Sequence, residues 1–124
     1  VQLRKLDAIV ANRNEMRNEY VRRLELAGFI PQYRASDVVH NVQSMVFRVP
    51  ESVNRDVLIG RLREDGIETT IGTYCLSGTT YYRRRYSDVQ PNSERLQRET
   101  ITLPCYEGVD VEAVCKAVVR RSNG

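Results

Sequence analysis

The chain is 124 residues long, 41% hydrophobic and 28% charged. That length supports one buried core and not two, and the composition excludes a disordered or collagen-like chain. No apolar run approaches the roughly 18 residues that a membrane-spanning helix needs. The net charge is +3, and all but two of the 19 basic residues are arginine, the lysines being Lys5 and Lys116. So small an excess does not by itself call for a polyanionic partner.

Cys75, Cys105 and Cys115 are odd in number and lack C-x-x-C spacing, and the lone His40 cannot complete a zinc set. No metal site is expected, and the thiols read as reduced core or loop residues of a cytoplasmic protein. The first residue is Val1, and no charged-then-apolar leader follows it. The expectation is therefore a piece of a longer chain.

The pattern predicts one long helix over residues 2–27. Leu3, Leu6, Val10, Met16, Tyr20 and Leu24 recur at helical spacing, Arg and Glu fill the other face, and Gly28 is a natural stop. Asn12 and Asn14 weaken its middle. Phe29 to Asp37, with Pro31, reads as a connection. His40 to Val49 alternates as a strand that Pro50 ends.

Asn54 caps a second helix, which carries Val57, Leu58 and Leu62 inward and stops at Gly66. Ile67 to Tyr74 is β-branched and reads as a second strand, followed by a polar loop. Pro91 opens a short third helix, with Glu94 in its first turn. Glu99 to Cys105 is a third strand closed by Pro104. Asp110 caps the last helix, which buries Val111, Val114, Cys115, Val118 and Val119 and ends in Arg120 and Arg121. The sum is an α/β domain: a three-stranded sheet with helices mainly on one face.

The sharpest local feature is Tyr81-Tyr82-Arg83-Arg84-Arg85-Tyr86. Three readings stand. It is a solvated charge cluster whose tyrosines cover the sheet edge, a contact for a small ligand such as a nucleotide-linked sugar, or a stacking platform of a non-catalytic module on nucleic acid. His40 is either a hydrogen-bonded structural residue or a chemical one. No triad, P-loop or dinucleotide fingerprint occurs. From the residues alone, this is a domain without a self-contained active site.

Several stretches resemble one family, the DegT/DnrJ/EryC1/StrS sugar aminotransferases. They are Gln2 to Ile9 with Asn12-Arg13-Asn14, His40-Asn41-Val42 before Arg48-Val49-Pro50, and Leu62 to Thr69. The most specific is Glu94-Arg95-Leu96 running into Ile101-Thr102-Leu103-Pro104-Cys105-Tyr106-Glu107-Gly108. The resemblance spans essentially the whole chain but only the C-terminal part of the family's chain. It implies the small C-terminal domain of a fold-type-I aminotransferase (28–124), entered by a long helix (1–27) from a large domain.

The resemblance also implies pyridoxal 5'-phosphate, bound mainly by that large domain, whose lysine forms the Schiff base. Neither Lys5 nor Lys116 stands in the family's lysine motif, so no catalytic residue is expected here. The implied reaction moves an amino group, with glutamate as donor, onto a keto-sugar nucleotide within a homodimer. His40 matches the family's small-domain histidine, a substrate-side residue, with Asn41 beside it. Where the family's loop commonly reads His-Tyr-Pro, this chain has Gly72-Thr73-Tyr74. Thr70, Tyr74, Tyr81, Tyr82, Arg83, Arg84 and Arg85 are expected to shape the pocket instead, an arginine suiting a diphosphate.

Overall fold

The computed structural model describes residues 3–124; the predicted helix start at Gln2 lies outside them. A 3-10 turn at Leu3–Lys5 leads into α1 (Leu6–Leu24), and a second at Glu25–Ala27 closes it. Gly28 then takes φ +83°, and the N–H of Phe29 returns to the carbonyl of Leu24 at 3.1 Å, the left-handed stop expected of glycine. Only the lower end of the predicted apolar stripe is buried, at Tyr20 and Leu24; Leu3 and Leu6 remain exposed.

The sheet has four strands and not three. They are β1 (Ile30–Pro31), β2 (Met45–Arg48), β3 (Thr70–Ile71) and β4 (Thr100–Leu103), in the order β1-β2-β4-β3 with every neighbour antiparallel. β1 carries the proline that made its segment read as a connection. Two residues give no period to detect, and proline is at home on an edge strand. β2 is shorter than predicted because the chain before it is not extended: Val42 takes φ +49°. His40 accordingly lies in the lead-in and not in the strand. β3 keeps two residues of the expected eight.

Alternation along β2 and β4 sends Met45, Phe47, Ile101 and Leu103 into the core. The other core faces come from α1, from α2 (Arg55–Glu64) with Leu58 and Leu62, and from α5 (Val111–Ser122) with Val114 and Val118. α5 packs against both α1 and α2, so these helices share one side of the sheet as expected. Tyr20 sits 6.2 Å from the Phe47 ring and donates its hydroxyl to the Pro104 carbonyl at 2.9 Å. Burial pushes the Tyr20 phenol well above its ordinary range.

The caps lie where the sequence puts them. Asn54 accepts from the N–H groups of Asp56 and Val57, and Asp110 accepts from that of Ala113. α3 (Thr80–Arg83) and α4 (Pro91–Glu99) bury no residue fully and lie at the margin. Arg55 joins α4 to the body: its buried guanidinium donates to the carbonyls of Gln97 (2.8 Å) and Thr100 (2.6 Å).

Candidate functional site

His40 is placed from α1. Asn14 Nδ2 donates to the His40 carbonyl at 2.8 Å and to the Val10 carbonyl at 2.9 Å, while Asn14 Oδ1 accepts from Arg34 at 2.8 Å. Arg13 donates to the Val42 carbonyl at 3.3 Å, and Arg17 to that of Gln32 at 3.0 Å. Three polar residues on neighbouring turns of one helix thus hold the loop between β1 and β2 through its carbonyls. Val42 is buried at a positive φ that a β-branched side chain rarely accepts. Burial, and next the charge of Arg34, lower the Arg17 pKa.

The imidazole itself is half-buried. Its Nδ1 is enclosed and has no hydrogen-bond partner among the described residues. A void of about 10 Å³ adjoins His40, lined also by Arg17, Pro31, Gln32 and Phe47. Asn41 is exposed and turns back on its own backbone, accepting from the N–H of Gln43 at 3.3 Å.

Sequence reasoning missed Arg13, Asn14, Arg17 and Arg34. It read Asn14 as a cost to the helix and as part of a resembled stretch, without a bond to make. The signal was that cost itself, since asparagine in a helix interior asks for a compensating bond.

Thr70 lies on β3 at the opposite edge of the sheet, exposed and in register with Thr102. Two strands separate it from β1, so three strand spacings, about 14 Å, lie between the edges. Within this chain, His40 and Thr70 belong to different edges. Beyond β3, the N–H of Gly72 donates to the Thr100 carbonyl at 3.0 Å, and Gln97 Oε1 holds the N–H of Cys75. Tyr74 follows, 68% exposed.

Next comes the aromatic and basic cluster. Tyr81 meets Tyr82 edge-on at 5.4 Å, Tyr82 stacks on Tyr86 at 5.8 Å, and the Arg85 guanidinium lies 5.0 Å from the centre of the Tyr81 ring. All stay exposed, together with Arg83 and Arg84. Among the described residues, none of the three arginines pairs with a carboxylate. The structure therefore brings Tyr81, Tyr82 and Arg83 to Arg85 together as one exposed basic arm.

Lys116 is spent on an ion pair with Glu112 at 2.7 Å on the outside of α5, and Lys5 is exposed before α1. Among the described residues, no group of three or more His, Cys, Asp or Glu could hold a metal ion, and no helix is long and apolar enough to cross a membrane.

A model of the DegT/DnrJ/EryC1/StrS aminotransferase family matches residues 1–120. The chain belongs to that family. Solved aminotransferase structures share its fold throughout. The aminotransferase TlmJ from Streptoalloteichus hindustanus superposes with a TM-score of 0.87 at 28% identity, over 98% of this chain and 34% of its own. Spr1654 from Streptococcus pneumoniae, described as a sugar aminotransferase and solved in its PMP-form, gives 0.90 at 19%, over 99% and 33%. DesI, solved in the presence of its TDP-sugar product, gives 0.81 at 18%, over 96% and 32%. The chain thus spans about a third of the length of these structures. Its α/β fold matches the small domain of a fold-type-I aminotransferase, with a fourth strand added to the three expected.

Proposed function

We propose that this chain is the substrate-side small domain of a pyridoxal-phosphate-dependent aminotransferase that aminates a keto-sugar carried on a nucleotide, in amino-sugar biosynthesis. Residues 1–27 link it to a large domain, and 28–124 form the small one. The observation that carries the reading is the family match across residues 1–120. The TDP-sugar present with DesI supports the substrate class, and the PLP- and PMP-forms of Spr1654 support the cofactor.

The residues present do not themselves fit the cofactor. When bound, pyridoxal phosphate supplies an electron sink and needs a lysine to hold it. Lys116 is tied to Glu112 and Lys5 lies out on the surface. Cofactor binding and amino transfer are accordingly assigned to the large domain, and no step is drawn through residues of this one.

What this domain supplies is recognition. His40 and Asn41 face the sugar side. Arg83, Arg84 and Arg85, free of internal carboxylates, grip the diphosphate, since a guanidinium fork matches two phosphate oxygens. Thr70, Tyr74, Tyr81 and Tyr82 shape the nucleotide side. His40 precedes β2 on the β1 side and Thr70 lies on the β3 edge, so a ligand touching both is long, as a nucleotide sugar is. Glutamate is the proposed donor, the assembly a homodimer and the compartment cytoplasmic.

The test is turnover by the full-length protein with glutamate and a keto-sugar nucleotide, read as the amino-sugar product by mass spectrometry. His40→Gln raises KM about tenfold, the worth of one hydrogen bond to substrate. Absence of amine transfer to any nucleotide-linked keto-sugar contradicts the proposal.

A further inference from the structure

The clamp on His40 has a chemical consequence for its ring. In a neutral imidazole, one nitrogen carries the proton and the other a lone pair. Nδ1 is buried and unpartnered among the described residues, and Nε2 is not a buried, unpartnered atom. A buried N–H without an acceptor is the rarest kind of orphan in folded proteins. Three carbonyls of the surrounding loop accept from α1 and none from the ring: that of His40 from Asn14, that of Val42 from Arg13 and that of Gln32 from Arg17. Arg17, which lines the void beside the ring, is a cation and favours a lone pair facing it over an N–H. The proton therefore belongs on Nε2.

Asn14 is built to hold that arrangement. Both of its amide hydrogens are used, on Val10 and His40, and its oxygen is fixed by Arg34. The amide has no second orientation that keeps all three bonds. With Val42 pinned at positive φ two residues on, the backbone under the imidazole has little freedom to rotate.

We infer that His40 is held as the Nε2–H tautomer, a donor to a carbonyl, hydroxyl or phosphoryl oxygen of the substrate, and that Asn14, braced by Arg34, is its positioning residue. The substrate half of this statement rests on the function proposed above. Such a histidine binds an oxygen and accepts no proton from it in that state.

His40 is the one histidine of the chain, so 15N-histidine labelling of all 124 residues yields a single imidazole. At a pH where the ring is neutral, the spectrum shows Nε2 protonated and Nδ1 bare. In Asn14→Asp, which keeps the size and loses the donor to the His40 carbonyl, the backbone no longer holds the ring with Nδ1 enclosed, and the population protonated on Nδ1 rises. A proton on Nδ1 in the unaltered chain overturns the tautomer assignment. A folded Asn14→Asp with unchanged populations overturns the role of Asn14. Should that variant not fold, Arg34→Met removes only the brace; a smaller shift in the same direction supports the role, and no shift overturns it. The spectrum needs neither substrate nor cofactor. If His40→Gln leaves KM unchanged in the full-length enzyme, the substrate-side reading alone fails.

Discussion

A Cβ on Gly72 would stand 2.5 Å from Thr100 Oγ1 and 2.6 Å from Thr100 Cβ. Val46 Cγ1, on the neighbouring strand, would be 2.7 Å away. The glycine serves close approach and not a left-handed turn, since this is where the chain leaves β3 and passes against β4 and β2. Thr100 cannot swing aside freely: it is buried, and its hydroxyl donates to the Leu96 carbonyl at 2.6 Å. Gly72 also stands where the resembled loop commonly carries histidine. In this chain, no side chain fits there.

Gly72→Ala should therefore destabilise the domain by about 1–3 kcal/mol, the usual cost of overpacking. Urea unfolding gives the number. A midpoint unchanged from the parent would mean that the contact with Thr100 relaxes at no cost.

Asp65 ties the end of α2 to the end of α5. It accepts from Arg121 at 2.5 and 2.8 Å and from Arg120 at 2.8 Å. The hydrogen bond from Arg121 is the largest cause, and with Arg120 it holds the carboxyl well below the usual carboxylate range. A native pKa below the unfolded one stabilises the fold fully above the ordinary aspartate value of about 3.9. That stabilisation is lost as pH falls from there toward the native value. Asp65→Asn should lower stability at pH 7 and flatten its decline in acid, both read from denaturant curves at several pH values. A parallel offset at every pH would contradict the assignment.

Replacing Arg83, Arg84 and Arg85 together with alanine should raise KM for a nucleotide sugar by a hundredfold or so, about 3 kcal/mol for lost charge-assisted bonds. Folding should be little changed, because all three are exposed. The reading as a nucleic-acid module predicts something different: affinity for single strands that falls steeply with salt and disappears in the triple variant. Binding of that kind, with KM unmoved, would overturn the diphosphate assignment.

Features with strong local chemistry were legible in the sequence. Asn54 and Asp110 cap the helices they were expected to cap, and Gly28 and Gly66 stand at positive φ just past helix ends. The buried face of α5 was visible at helical spacing, apart from Ala117, which is small enough to pass unnoticed, and Val119, which is only partly buried. Pairing and side-chain reach were not legible. β1 has two residues, one of them proline, and its existence depends on β2 lying beside it. The predicted strand from His40 lost its first half to the bend at Val42, which local propensity disfavours and which the carbonyl clamps from α1 hold. Asn14 and His40 are 26 residues apart, and no periodicity joins them. For the site, residue types pointed to a basic aromatic arm, and the structure adds that its rings pack on one another.

The central claim is that this domain recognises substrate while the chemistry is carried elsewhere in the full-length protein. It is tested most directly by borohydride reduction of the pyridoxal-phosphate-loaded protein, which fixes the cofactor to the lysine that holds it, followed by peptide mapping. A stoichiometric pyridoxyl-lysine is expected outside these 124 residues. A stoichiometric adduct on Lys5 or Lys116, with turnover abolished by replacing that lysine, would contradict it.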